Sequence, residues 1–498
     1  MTQIRVNLEV STTDLVARED PSCRLTVVNE GTQILEVPNL DMNPEWPRFV
    51  VEDLGTGAAQ SFDPKTIWAE MRVKPMPSQD GEGPMIGLGP GESKSWIFNL
   101  SHRIRLLFSG GYSLHARLWV EGQTVRSNAV VLRIVPVESV RSSVVYAHGG
   151  FADTLFEGWV GNGEPALYLR AVCAGVHLEQ EQSLRLCSLP AVVDPILSVA
   201  PNAAAAATRT VAWLEGNAIH AIDAGIEGVT RPQRSVALSW PARFIVPHLW
   251  KDPETDDCSA LVWSSTSHGD ALVPVIMGEH AIQPLDPVML SLPQPVWIRS
   301  FFASTGERHV LFLVGTGGRL ELWHLSYGER LVITSKPMHV WECGLLGIAA
   351  HMDPDDNIRG VLVGQRSSSD PTAPAIIFRW SVEVGGRSVA EPPSVWAGLD
   401  QHLLEHFQLA IDVHGIPHAL VRWSEDEWWC LTPETRHAVI PPYGASISGL
   451  PMLRFMADGT IPLLLWHDLH RGLLGAPLGI ALPDFLGKDF IRPALADS

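Results

Sequence analysis

A repeat with a period near 50 residues runs through the sequence after residue 140 and restricts the fold more than any other feature. Its clearest copies, residues 412–423 and 457–466, each join an acidic or glycine turn to an apolar segment that carries tryptophan. The gaps between successive copies are 57, 49, 50, 51, 58 and 44 residues. Repeated units of this kind bury their apolar faces by stacking on their neighbours. The copies are anchored at the apolar residue after each turn: Leu155, Ala212, Leu261, Leu311, Leu362, Leu420 and Leu464.

The length of the repeat matches that of a four-stranded β-propeller blade. Seven anchors therefore predict about seven blades over residues 140–498, with six or eight as alternatives. The turn before a tryptophan-bearing strand resembles the D-x-x-G repeats of bacterial proteins related to sialidase-type and NHL-type propellers. The resemblance implies the architecture alone, because no copy contains a full Asp-box, a WD dipeptide with its partner histidine or a kelch double glycine.

The first 137 residues show the period of two that is typical of strands with one buried face. Apolar and polar residues alternate over residues 4–10, 96–100 and 112–120, with glycine and proline clusters between these segments. No segment before residue 137 has a helical period. Short strands in this arrangement predict an antiparallel sandwich.

Two segments of this region resemble the paired late-strand signature of bacterial immunoglobulin-like domains. They are residues 88–93, with the sequence LGPGES, and residues 111–116, with the sequence GYSLHA. The resemblance implies that Tyr112 is a corner residue whose hydroxyl bonds to nearby backbone. The predicted fold is therefore all-β, with an immunoglobulin-like sandwich over residues 1–137 and a propeller over residues 140–498.

The charge and composition of the chain restrict the kinds of molecule that it can bind. The chain has 36 basic and 55 acidic side chains, a net charge of −19, which repels phosphate backbones and anionic lipid surfaces. The N-terminus lacks the pattern of a secretory signal, and no apolar run is long enough to span a membrane. The six cysteines lie far apart, which favours reduced thiols. We expect a cytoplasmic protein that binds neither nucleic acid nor membranes.

The tryptophans are unusually numerous, with 18 against five tyrosines. Trp428 and Trp429 do not follow the repeat and lie beside Glu425 and Asp426, so they are predicted surface binding residues. Six other tryptophans occupy equivalent positions of the repeat, and we predict that their side chains fill the space between blades: Trp213, Trp263, Trp323, Trp380, Trp423 and Trp466.

Two short polar segments remain as candidate sites. His467 and His470 flank a carboxylate, but on a strand they point to opposite faces, so a shared metal there requires a turn. A second segment supplies oxygen ligands that Ca²⁺ prefers, although the same residue types also favour turns without any metal. The possible calcium ligands are Asp353, Asp355, Asp356 and Asn357.

No local signature of a hydrolase, a nucleotide enzyme or a zinc site occurs in the sequence, so it predicts no catalytic residues and no cofactor. The first hypothesis is a non-catalytic interaction protein whose sandwich and propeller each dock a protein partner. The alternative is a carbohydrate-binding or carbohydrate-active propeller, which requires two carboxylates and exposed aromatic rings in a central pocket.

Overall fold

The computed structural model contains only strands and their connections, as the sequence predicts. No α-helix occurs in the described part of the chain, and none of its segments forms a helix that could cross a membrane. The described residues are 3–16, 19, 21–40, 46–62, 85–100, 103–104, 106–107, 109–135, 141–147, 153–161, 165–174, 183–199, 208–225, 228–247, 249–252, 255–266, 269–290, 294–303, 306–327, 331–333, 336–353, 355–365, 374–383, 387–396, 399, 406–424, 427–439, 447–455, 462–468, 472–477 and 490–491.

Two facing sheets form the N-terminal region. The first has the strand order β1-β3-β8 and contains β1 (Ile4–Val10), β3 (Ser22–Asn29) and β8 (Ser93–Asn99). The second has the order β2-β12-β10-β5-β6, with β11 paired to β10. Its strands are β2 (Asp14–Val16), β5 (Arg48–Asp53), β6 (Ala59–Phe62), β10 (Gly110–Val120), β11 (Gln123–Arg126) and β12 (Val130–Val135).

The alternating apolar residues of both sheets meet in one core. Leu8 and Leu25 of the first sheet share a buried cluster with Leu114 and Leu118 of the second. Tyr112 is also buried there, and burial, followed by the charge of Asp53, raises the pKa of its hydroxyl to about 12. Two smaller pairings complete the region: β4 (Leu35–Pro38) with β7 (Met85–Leu88), and β9 (Leu106–Leu107) with the late strand β44 (Phe490–Ile491).

Six sheets follow between residues 141 and 477 of the described chain. One of them joins two antiparallel meanders through a parallel pair of strands, so we divide the six sheets into seven units, numbered 1 to 7. Unit 1 has β13 (Arg141–Ala147), β14 (Asp153–Gly161), β15 (Ala166–Ala174) and β16 (Ser183–Ser188). Unit 2 has β17 (Ile196–Val199), β18 (Thr208–Glu215), β19 (Ala218–Gly225) and β20 (Gly228–Ala237). Unit 3 has β21 (Ala242–Ile245), β22 (Leu249–Lys251), β23 (Cys258–Thr266), β24 (Gly269–Met277), β25 (Ile282–Pro284) and β26 (Val288–Leu290).

The remaining four units continue the same meander. Unit 4 has β27 (Trp297–Phe302), β28 (Arg308–Thr316), β29 (Arg319–Tyr327), β30 (Leu331–Ile333) and β31 (His339–Glu342). Unit 5 has β32 (Gly344–Met352), β33 (Ile358–Gln365), β34 (Ala375–Val382), β35 (Ser388–Ala390) and β36 (Ser394–Trp396). Unit 6 has β37 (Phe407–Ile411), β38 (Pro417–Ser424), β39 (Glu427–Leu431) and β40 (Arg436–Val439). Unit 7 has β41 (Ile447–Phe455), β42 (Pro462–Asp468) and β43 (Gly472–Pro477).

Each sequence anchor falls on one strand of its unit, which we call the anchor strand: the second strand of the unit everywhere except in unit 3, where it is the third, β23. Each unit contains one anchor, and the strands that carry them are β14, β18, β23, β28, β33, β38 and β42. These strands are buried on both faces, since consecutive residues belong to different clusters. Leu311 packs toward unit 5, whereas Phe312 packs toward unit 3. Two-sided burial explains why the strands are continuous apolar runs rather than alternating ones.

Buried clusters connect each unit to the next one. Burial of one such aliphatic or aromatic side chain stabilises a fold by about 1.5–3 kcal/mol, so each cluster holds its two sheets together firmly. In chain order, the clusters contain Phe156 with Val211, Ala212 with Val262, Leu261 with Phe312, Leu311 with Leu362, Val361 with Val421, and Leu420 with Leu464.

The repeat tryptophans belong to this packing. Trp323 is half-buried, and the side chain of Trp423 lies outside the described part. Trp380 rests so closely on Gly360 that a Cβ added there would lie 1.9 Å from the indole ring. The remaining four are almost fully buried: Trp213, Trp263, Trp380 and Trp466.

We predict that Gly360→Ala lowers the free energy of unfolding by about 1–3 kcal/mol, because the added methyl overpacks the buried indole of Trp380. Gly344→Ala in the same unit is the control, since the nearest atom to its added Cβ is 3.9 Å away. Denaturant titration of both variants measures the difference. Equal stability of the two variants would contradict the packing described.

Candidate functional site

The candidate site begins with the turn between the first two strands of unit 5. Asp353 follows β32, and its Oδ1 accepts hydrogen bonds from the backbone N–H groups of Asp355, at 3.0 Å, and Asn357, at 2.9 Å. Its Oδ2 lies 3.1 Å from both Nε and Nη2 of Arg359. Burial alone would raise the pKa of Asp353, but the hydrogen bonds from Asn357 and Asp355 and the charge of Arg359 lower it overall. Asp356 takes a left-handed φ of 63°, which aspartate tolerates.

The calcium ligands predicted from the sequence all lie in this turn. The Asp353 carboxylate already binds two amides and a guanidinium, so Ca²⁺ would have to displace Arg359 from it. Within the described ranges, no group of three or more His, Cys, Asp or Glu side chains is placed to hold a metal. The residues nevertheless stand where the sequence predicts, and calcium binding there stays a prediction.

The matching turn of unit 6 has the same construction. Asp412 follows β37, and its Oδ1 accepts hydrogen bonds from the N–H groups of His414, at 2.9 Å, and Ile416, at 2.8 Å. Gly415 occupies the left-handed position, with a φ of 77°. His418 lies 3.6 Å from the other carboxylate oxygen. The turn therefore presents Ile416 and His414 in a fixed position beside unit 5.

A cavity of about 690 Å³, which we call the unit 5–6 groove, lies between this second turn and the sheet of unit 5. Two arginines and two glutamates line it: Arg359, Arg379, Glu383 and Glu391. Val389 and Ile416 add exposed apolar surface, with 37% and 43% of their area accessible. Arg379 also donates a hydrogen bond of 3.2 Å to Ser394 Oγ. The groove thus combines apolar surface with fixed charges of both signs.

Cross-strand register explains why these side chains converge. Arg359 pairs with Ser381 and Val361 with Arg379 across β33 and β34, so all four project from one face. Sequence reasoning missed the groove because register between strands cannot be obtained from local spacing. The one available signal was the equivalence of the Asp353 and Asp412 turns in the repeat.

The two nonperiodic tryptophans are half-buried rather than fully exposed. They are neighbours on β39, so their rings point to opposite faces, Trp428 toward the cluster with unit 7 and Trp429 toward the cluster with unit 5. Trp429 Nε1 donates a hydrogen bond of 3.1 Å to Glu427, and the guanidinium of Arg436 lies 3.9 Å from the ring centroid. Glu425 and Asp426 lie outside the described residues.

Of the two candidate histidines, only His467 belongs to the described residues. His470 lies outside the described residues, whereas His467 is buried at the junction of unit 7 with unit 1. Its Nε2 lies 3.0 Å from Ser142 Oγ, and its Nδ1 lies 3.4 Å from Oε1 of the fully buried Glu157. His467 therefore connects the last unit to the first and does not face the unit 5–6 groove.

No family model matches the chain, and no curated protein is similar to it. Solved structures with a similar arrangement are β-propeller-like. A BBS1N–ARL6DN complex has a TM-score of 0.37 and 11% identity, covering 70% of this chain and 95% of the other. A PL25 ulvan lyase has a TM-score of 0.40 and 9% identity, and the match covers 69% of this chain and 92% of the lyase. The periplasmic gluconolactonase of Pseudomonas aeruginosa has a TM-score of 0.37 and 12% identity, and the match covers 67% of this chain and 92% of the lactonase. Similarity at this level assigns no function to the chain.

We predict that His467→Ala lowers the free energy of unfolding by about 1–3 kcal/mol, because Ser142 and the buried Glu157 lose a polar contact. Arg141→Ala in unit 1 is the control, as it removes only an exposed ion pair with Asp194. A double-mutant cycle of Ser142→Ala with His467→Ala should show coupling. Additive effects would show that the two units do not meet through this pair.

We predict that Asp353→Asn lowers the melting temperature by the same amount in EDTA and in millimolar Ca²⁺, because the carboxylate holds the turn and Arg359. Asp412→Asn, in the equivalent turn, is the matched comparison. A calcium-dependent stabilisation of the wild type that Asp353→Asn abolishes, and Asp412→Asn retains, would establish a calcium site instead.

Proposed function

We propose that this protein is a non-catalytic interaction protein, in which a closed seven-bladed propeller and an immunoglobulin-like sandwich each dock a protein partner. In this proposal, units 1 to 7 are the blades, and a short segment of one partner binds in the unit 5–6 groove. The observation that carries the proposal is the groove itself, with exposed apolar residues between charges of both signs.

Closure of the propeller is supported by the order of the packing contacts. Clusters join each unit to the next from unit 1 through unit 7, which describes a row of stacked sheets. The contact of His467 with Ser142 and Glu157 then joins the two ends of that row. A row whose last member packs on its first must curve into a ring.

The chemistry of the groove favours a peptide segment of a protein partner. Protein interfaces combine an apolar centre with a charged rim, and arginine is enriched in them. Val389 and Ile416 supply the apolar centre, while Arg379 and Glu391 supply opposite charges nearby. A volume of about 690 Å³ holds a few side chains rather than a folded domain. The segment that fits best carries an apolar side chain flanked by one acidic and one basic residue.

Packing between unit 1 and the N-terminal sheets supports a fixed arrangement of two docking surfaces. Trp159 and Tyr168 of unit 1 stack on each other with ring centroids 4.1 Å apart. Both belong to the same buried cluster as Leu114 of the sandwich. A shared core holds the two regions as one body, which suits a protein that positions two partners relative to each other.

The carbohydrate alternative requires a pair of central carboxylates. Asp353 and Asp412 lie at the ends of first strands, but both carboxylates hold turn amides. These features favour the interaction hypothesis over glycoside chemistry.

We predict that a photo-crosslinking amino acid at Ile416 or Val389 captures the same partner protein in cells, because both positions are exposed in the groove. Val395 in unit 5 is the control, since it is 60% exposed but does not line the groove. Arg379→Glu should reduce capture at both positions without changing the melting temperature. Equal capture at Val395, or capture that Arg379→Glu does not affect, would refute docking in the groove.

A further inference from the structure

Three arginines lie side by side across the second sheet of the N-terminal region. Arg117 of β10 pairs directly with Arg48 of β5 on one side and with Arg126 of β11 on the other. Residues that pair directly in an antiparallel ladder project from the same face, with Cβ atoms about 4.5–5.5 Å apart. All three side chains are exposed. We call these three residues the arginine row, which extends over about 10 Å because neighbouring strands lie roughly 4.8 Å apart.

The arginine row lies on the outer face of its sheet. Side chains alternate along β10, so Leu118 enters the core between the two sheets, whereas Arg117 and Trp119 project away from it. Trp119 is 47% exposed and pairs with Thr124 of β11. An accessible aromatic ring therefore adjoins the arginine row on the same face.

The fold does not explain the arginine row. Like charges directly opposite each other in a sheet are destabilising. On the other sheet of this region, by contrast, Arg24 pairs in register with Glu9, and the two side chains lie 4.0 Å apart. Neither Arg117 nor Arg126 forms an ion pair with a residue in the described part of the chain. Acidic side chains outnumber basic ones by 55 to 36, so three adjacent arginines are unexpected from composition.

Two aromatic side chains adjoin the arginine row. The guanidinium of Arg48 lies 5.1 Å from the ring centroid of Trp46, a cation–π contact. His115 projects from the same face as Arg117 but is only 3% exposed, and neither ring nitrogen has a hydrogen-bond partner in the described structure. Burial, followed by the charges of Arg126 and Arg117, lowers the pKa of His115 to about 4. The histidine is therefore neutral near pH 7 and does not add to the charge of the arginine row.

We propose that the arginine row, together with Trp119, docks an extended acidic segment of a partner protein. This inference rests on the proposed function, in which the sandwich binds one of the two partners. Alternate side chains of an extended segment lie about 6.6 Å apart on one side, so their carboxylates can reach neighbouring arginines of the row. Each guanidinium binds a carboxylate through charge-assisted hydrogen bonds. An apolar side chain beside the acids would cover the ring of Trp119.

The charge of the whole chain favours a short acidic segment over a polyanion. A net charge of −19 repels nucleic acids and other highly charged polymers over distances longer than a contact. A peptide with a few carboxylates carries less charge and also offers apolar side chains to Trp119. Arginine and tryptophan are, in addition, the residue types that contribute most to binding at protein interfaces.

The test is fluorescence-anisotropy titration of the full chain with a labelled peptide, Glu-Thr-Glu-Thr-Glu-Leu, and with the same peptide carrying Gln in place of each Glu. We expect the Glu peptide to bind at least about 10-fold more tightly, because the Gln peptide cannot form charge-assisted hydrogen bonds with the arginines. Its affinity should fall as NaCl is added, because salt screens exposed charges. Equal affinity for the two peptides, or tighter binding of single-stranded DNA of the same length, would overturn the proposal.

Substitutions locate the site. Arg117→Gln and Arg126→Gln should each weaken binding of the Glu peptide about 5- to 10-fold, and Arg117→Lys should weaken it less because the charge remains. Arg24→Gln, on the other sheet, is the matched control and should leave the affinity unchanged. Arg117→Gln should also melt at or above the wild-type temperature, because repulsion between opposed arginines is relieved. Unchanged affinity in both Gln variants would overturn the proposal, and a lower melting temperature of Arg117→Gln would show instead that this arginine serves the fold.

Crosslinking in cells separates this inference from the proposed function. Thr124 is exposed beside Trp119, so a photo-crosslinking amino acid there should capture an acidic segment that mass spectrometry can identify. Arg126→Glu should abolish that capture by repelling the segment. Capture at Ile416 but not at Thr124, or capture at Thr124 of a segment without acidic residues, would overturn this inference alone. Absence of capture at both positions would overturn the proposed function as well.

Discussion

Every sheet from unit 1 to unit 7 depends on neighbours to cover both of its faces. The anchor strand of each unit is an apolar run because consecutive side chains enter different inter-unit clusters, as Leu311 and Phe312 do. A single sheet of this composition would expose both faces to water and would not be stable alone. The first unit of the row therefore needs cover on its outer face, and both the N-terminal sheets and unit 7 contact it.

Unit 1 shows how the ends are covered. Glu157 and Trp159 stand two residues apart on β14 and so project from the same face. Trp159 enters the core of the sandwich, while Glu157 meets His467 of unit 7. The sandwich and the last unit thus share one face of unit 1. This junction carries a buried polar contact, as does the one between units 2 and 3, where the buried Lys251 donates a hydrogen bond of 2.8 Å to Thr208. Such a contact tolerates fewer alternative partners than an apolar surface does.

The sequence predicts the coarse fold because the period of the repeat is a local property of the chain. Each unit has one anchor strand, and the repeat tryptophans whose side chains are described pack between units. Contacts between distant strands could not be obtained in this way. The spacing of His467 and His470 contains no information about Glu157, which lies more than 300 residues earlier. Likewise, Trp428 and Trp429 do not follow the period of the repeat. Because side chains alternate along β39, each of the two rings nevertheless packs in a different junction between units.

The distribution of charge connects the architecture to recognition. Acidic side chains outnumber basic ones by 55 to 36, and several of them, such as Asp353 and Asp412, are used to close turns. Several basic side chains are held in ion pairs with acidic ones, as Arg359 is with Asp353 and Arg234 with Asp223. The net negative charge of the chain repels polyanions. The unit 5–6 groove has charges of both signs, which suits the protein segment that we propose binds there.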